Sequence, residues 1–144
     1  MANFKDNSGK DWQLTIDVNA LRRVKEGTSV DLMRILEPDF LMELGNDVIT
    51  LVGVLWSVVE LQADRAGITP EDFGASLTGE SLDNATSALI DGIADFFPPN
   101  RALILRKIKA KADQTVDQAT AQILEILDKQ PPAMFGEQST NTQA

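Results

Sequence analysis

The stretch Asp47–Gly67, DVITLVGVLWSVVELQADRAG, is the most apolar part of an acidic chain with net charge −9. Its apolar heart, Val48 to Leu61, measures about 21 Å as a helix, against about 30 Å of bilayer hydrocarbon. Asp47, Glu60, Asp64 and Arg65 close off its ends, so no membrane span is expected. Asp47 is placed to cap a helix and Gly67 to end it. Within that helix Thr50, Gly53, Ser57, Glu60 and Asp64 recur at alternating spacings of three and four, which puts them on one narrow stripe. The other faces are aliphatic or Trp56. A helix polar on one stripe alone has to be covered on its remaining sides. Two alternatives stand: it is the central helix of a bundle, or it is a surface shared with copies of itself. Gly53, Trp56 and Ser57 are the residues of interest in either case, because the small Gly53 and Ser57 admit another backbone.

The rest of the chain reads as one mainly α domain over residues 1–130, a compact helical bundle with a small N-terminal β-hairpin (1–17), followed by a disordered polar tail over 131–144. Trp12, Leu14 and Ile16 alternate with polar residues, and Asp6-Asn7-Ser8-Gly9 is turn chemistry. Ala20, Leu21 and Val24 fit a helix closed by Gly27. Ser29 or Asp31 caps a further turn through Leu32 and Ile35, and Glu37-Pro38 starts another. Thr69-Pro70-Glu71-Asp72 is a capped helix start, and Ser81 opens a helix that Pro98-Pro99 stops. From Asn100 to about Gln130 runs a long last helix. Its Leu105, Ile108, Ala112, Val116, Ala119, Ile123 and Ile126 follow nearly the 3.5-residue period of a coiled-coil seam.

Composition excludes much chemistry. The chain of 144 residues has no cysteine, histidine or tyrosine, which removes thiolate metal sites and the usual general base near neutral pH. No metal or other cofactor is expected. Gly74-Ala-Ser-Leu-Thr-Gly79-Glu80-Ser81 has phosphate-loop glycine spacing, but Glu80 stands where lysine is required. Asp6 to Asp17 fails as a calcium loop, with Asp11 where glycine is needed and Asp17 where glutamate is. Asn84-Ala85-Thr86 is a glycosylation sequon with no signal-peptide run in MANFKDNSGKDW to give it use. The pairs Glu60/Asp64 and Asp91/Asp95 read as a solvated acidic face rather than catalytic carboxylates. No enzyme is expected.

Charge is segregated. Between Val30 and Phe97 the basic residues are Arg34 and Arg65 alone. Arg101, Arg106, Lys107, Lys109 and Lys111 then cluster at the start of the last helix, with Arg22, Arg23 and Lys25 as a second basic group. They spread around the helix without interleaved aromatics, and the overall field repels phosphate, so a solvated helix start or an acidic partner protein surface is expected rather than nucleic acid or membrane. An acidic body with a basic helix start can also satisfy itself within one subunit or across a head-to-tail contact.

Five stretches in order carry a family resemblance: Phe4-x-Asp6-x-x-Gly9-x-x-Trp12, LTIDVNALRRVKEGTSVDLM, the Leu55-Trp56 helix, ITPEDFGASLTGESLDNA, and FFPPNR. Over roughly Phe4 to Arg101 the chain resembles the tail assembly chaperones of long-tailed bacteriophages with non-contractile tails. The resemblance implies a non-enzymatic protein of the host cytoplasm that binds the tape-measure protein, keeps it soluble and helps recruit tail-tube subunits. Such a protein self-associates, is absent from the mature virion, and is often accompanied by a longer frameshifted form. The family offers no catalytic residue to transfer. The alternative is a structural virion component, such as a head–tail connector or tail-completion protein.

Overall fold

Phe4 and Trp12 face each other across the antiparallel hairpin that begins the chain, β1 (Asn3–Lys5) and β2 (Asp11–Gln13). The structure is a computed structural model that describes residues 2–37 and 39–129. The hairpin is followed by α1 (Val18–Thr28), a 3-10 turn at Leu32–Leu36, α2 (Phe40–Asn46), α3 (Val48–Ala66), α4 (Pro70–Ala75), α5 (Glu80–Phe96) and α6 (Pro99–Lys129). The expected mainly α architecture with an N-terminal hairpin and a long C-terminal helix is what forms. The expected disorder over 131–144 and the start at Glu37-Pro38 involve positions outside the described residues.

The hairpin holds its turn through Asp6. Its Oδ1 accepts from the Ser8 N–H (2.9 Å), the Ser8 hydroxyl (2.6 Å) and the Lys10 N–H (3.1 Å), and its Oδ2 accepts from Trp12 Nε1 (2.8 Å). Gly9, at φ +88°, supplies the left-handed residue that the turn requires. One face of the hairpin then buries Ala2, Phe4, Trp12 and Leu14 together. Burial raises the Asp6 carboxyl's pKa, and the hydrogen bonds from Ser8, Trp12 and Lys10 outweigh it, leaving the group below its ordinary 3.8.

Helix ends follow local capping chemistry. Asp17 accepts from the Ala20 N–H, Asp47 from the N–H and hydroxyl of Thr50, and Thr69 from the Asp72 N–H. Gly67 at φ 70° ends α3, and the Ile68 N–H returns to the Ala63 carbonyl. Two boundaries differ from the sequence expectation. Helix α1 runs through Gly27 and ends at Ser29, whose φ of 63° takes the left-handed position. Gly27 is used for proximity instead: a Cβ there would meet Ser57 Oγ at 3.1 Å. Helix α5 starts at Glu80 rather than Ser81, after Gly79 at φ 58°.

Helix α3 is the centre of the core, with α1, α2, α4, α5 and β2 all against it. Phe73 of α4 sits between two indoles, 5.1 Å edge-on from Trp12 and 5.6 Å from Trp56. Below them pack Val54, Leu55 and Val59 of α3 with Leu89 and Ile93 of α5, all nearly without solvent contact. Helix α5 approaches the hairpin so closely at Gly92 that an added Cβ would meet Ile16 Cγ1 at 3.1 Å and the Leu14 carbonyl at 3.3 Å. The chain divides into two units at Lys109. The first contains everything from the hairpin to the first turns of α6. In the second, α6 continues from Ala110 to Lys129 with a Lys129–Glu125 ion pair of 3.0 Å at its end.

Candidate partner-binding site

Gly53, Trp56 and Ser57 lie where α1 crosses α3. A Cβ on Gly53 would meet Thr28 Cγ2 at 3.2 Å, and Ser57 is buried with its hydroxyl donating to the Gly53 carbonyl at 3.0 Å. Arg23 of α1 reaches over this crossing and donates through Nε to the Ser57 carbonyl at 2.9 Å and through Nη2 to the Val58 carbonyl at 3.3 Å. The close backbone approach expected at Gly53 is therefore made by the chain's own α1. Of the stripe, Ser57 is buried, Thr50, Gly53 and Glu60 are half-buried and Asp64 is exposed, while Val48, Ile49 and Leu61 of the same helix are exposed as well.

The basic cluster separates into groups with different work. Arg106 Nη2 stands 2.9 Å from Asp95 Oδ1, and Lys109 Nζ stands 3.5 Å from Asp91 Oδ1. These two cations tie the first turns of α6 to the acidic edge of α5, which also accounts for the Asp91/Asp95 pair. Arg101 and Lys107 are exposed and make no ion pair among the described residues. Lys111 belongs to the second unit, where it is exposed and its carbonyl accepts from the Thr115 hydroxyl at 2.9 Å.

Beside Arg101 and Lys107 lies the apolar feature that sequence reasoning passed over. Leu103 and Ile104 are 56 % and 50 % exposed, while Ala102 and Leu105 turn inward. Leu103 borders an open groove of about 490 Å³ whose other apolar walls are Ala94, Phe97, Pro99 and Ala102, with Asp95 and Arg106 at the rim. The signal was present in the sequence: Leu103 and Ile104 are apolar yet off the seam that begins at Leu105. A second groove of about 700 Å³ on the far side of the Asp95–Arg106 pair is polar, lined by Asn3, Lys5, Asn84, Ser87 and Asp91.

Other motifs resolve into structure. The Gly74–Ser81 segment joins α4 to α5 and follows no strand; Ser81 Oγ accepts from the Thr78 N–H at 3.1 Å. The Asn7 N–H donates to the Ser76 carbonyl at 2.9 Å, fastening this turn to the hairpin turn. Among the described residues no three His, Cys, Asp or Glu side chains gather to hold a metal. Nor is any single helix there long and apolar enough to cross a membrane, the α2–α3 pair being bent by 102°. Comparison of the chain with protein-family models, with curated proteins and with solved structures returned no match.

Proposed function

We propose that this protein is a tail assembly chaperone of a long-tailed bacteriophage. It acts in the host cytoplasm by binding, without catalysis or cofactor. It binds the helical, apolar tape-measure protein, keeps it soluble, helps recruit tail-tube subunits around it, and leaves before the virion is complete. It associates with copies of itself, and it engages neither nucleic acid nor membrane. The order of sequence stretches from Phe4 to Arg101 motivates the reading. The observation that carries it is the exposed Leu103 and Ile104 beside the Phe97–Ala102 groove, flanked by Arg101 and Lys107, which make no ion pair among the described residues. Two half-exposed aliphatics beside a groove on a fixed helix are suited to holding an amphipathic client helix.

Co-expression tests it. The protein should render the long helical product of the downstream gene soluble and co-purify with it, and Leu103→Asp with Ile104→Asp should abolish this while leaving the fold intact. A downstream product that stays insoluble in the presence of the wild-type chain would refute the chaperone reading. Mass spectrometry of purified particles should not detect the protein; finding it there would establish a structural virion component instead.

A further inference from the structure

Along the second unit, α6 exposes a stripe that one helix alone cannot bury. Val116, Ile123 and Ile126 are 62 %, 57 % and 53 % exposed, and Leu127 beside them is 48 % exposed. Ala112, Val116, Ala119, Ile123 and Ile126 step by four, three, four and three, which keeps them on one face of a helix paired with another. Ala112 to Lys129 covers about 27 Å of helix. Most of the stability of a helix in a protein comes from packing its amphipathic face, so this exposed stripe is surface that gains by being covered.

We propose that the face is covered by the same face of a second copy, running antiparallel. The seam's own volumes choose the occupant and the direction. In a parallel pair Ala119 meets Ala119 and Ile123 meets Ile123, so a hollow layer adjoins a crowded one. In the antiparallel pair Val116 meets Ile126 of the second copy and Ala119 meets its Ile123, and the twofold axis repeats both contacts. Each layer then joins a larger side chain to a smaller one, and the layer volumes are far more even, as close packing requires. The axis passes level with Ala121, which brings Thr120 beside Thr120 and Gln122 beside Gln122. A charged residue at either position would meet its own like charge. Both are uncharged in a chain where charged residues make up 24 %. These contacts span Val116–Ile126 and so stay within the second unit of each copy.

This inference deepens the self-association within the proposed function, but it is tested on the protein alone. Its failure would leave client binding standing, and failure of client binding would leave the dimer standing. Sedimentation velocity of the full chain over a wide concentration range should show a reversible monomer–dimer equilibrium, with helicity by circular dichroism rising as dimer forms. Ile123→Asp should weaken the dimer at least tenfold while the fluorescence of the buried Trp12 stays native. The natural chain has no cysteine, so Ala119→Cys and Ile123→Cys each introduce a single thiol. On oxidation the two variants mixed should form a disulfide-linked dimer, and either variant alone should not. Cross-linking of each variant alone would overturn the antiparallel arrangement. A monomer at every concentration, or a dimer indifferent to Ile123→Asp, would overturn the seam as the contact.

Discussion

Replacing Asp6 by asparagine isolates what the hairpin turn contributes. The substitution keeps the shape of the side chain and keeps one oxygen, which can still accept from Ser8 and Lys10. The other oxygen becomes an amide NH2 facing Trp12 Nε1, so a donor meets a donor where a 2.8 Å hydrogen bond stood. Trp12 is 0 % exposed and water has no access to that N–H. A buried donor left unpaired costs about 1–3 kcal/mol, and loss of charge assistance in the remaining bonds adds about 1 kcal/mol. The expected loss is therefore about 2–4 kcal/mol, or roughly 10 °C in Tm for a unit of this size. Urea unfolding followed by tryptophan fluorescence at pH 7 measures it. The pH dependence supplies the sharper check. Asp6 titrates below its ordinary 3.8 in the folded protein, so its ionised form stabilises the fold above the unfolded pKa, and that contribution fades as pH falls through the folded one. Asparagine carries no such titration. The difference between wild type and Asp6→Asn should accordingly be constant from pH 7 to about 5 and shrink toward pH 3. A difference under about 0.5 kcal/mol at pH 7, smaller than the least cost of an unpaired donor, would refute the reasoning, as would a difference that stays flat down to pH 3.

Two glycine substitutions should move stability in opposite directions. Gly92→Ala presses a methyl onto Ile16 and the Leu14 carbonyl and should cost about 1–3 kcal/mol despite its better helix propensity; Gly45→Ala, with nothing within 4 Å, should gain about 0.5–1 kcal/mol. Thermal unfolding of both reads the contrast. Reversing charge at Arg106 and Lys107 together should weaken client binding several-fold without unfolding the domain. The Arg106–Asp95 pair is about half exposed on both sides and contributes no more than about 1 kcal/mol. Pull-down beside a native circular dichroism spectrum tests this, and unchanged binding would remove these cations from the site.

The fold was legible wherever chemistry local in sequence decides it. Asp47 and Gly67 bound α3, Thr69-Pro70 starts α4, and the alternation around Trp12 makes a strand, because each depends on neighbours within a few residues. Misreadings arose where a residue's use depends on a distant partner. Gly27 has the character of a helix terminator, yet α3 needs its missing side chain, and Ser29 takes the strained φ instead. Gly53 and Ser57 promised a close backbone approach, and only the packing shows that α1 makes it. The basic cluster was visible, but its division was not: Asp91 and Asp95 claim Lys109 and Arg106 through a pairing that only the packing of α5 against α6 creates. The exposed Leu103 and Ile104 were passed over because a seam reading follows the buried side of a helix and treats the remainder as surface.

The first of the five stretches that carry the resemblance has a structural explanation. Phe4 and Trp12 are a cross-strand pair, Asp6 accepts from the Trp12 indole, and Gly9 makes the turn. These four residues build one hairpin that closes over Phe73 and Gly92, and none reaches the apolar groove at the head of α6. The resemblance therefore concerns the scaffold. The surfaces proposed to act, Leu103 with Ile104 and the seam from Val116 to Ile126, lie beyond Arg101, where the resemblance ends. Under the proposed function, a binding protein whose clients differ has reason to be built this way. The hairpin and the α1–α3 crossing constrain sequence through close contacts that tolerate few substitutes. A groove or helix face that meets a client asks only for apolar residues in a suitable pattern, and that pattern can change with the client while the scaffold stays the same.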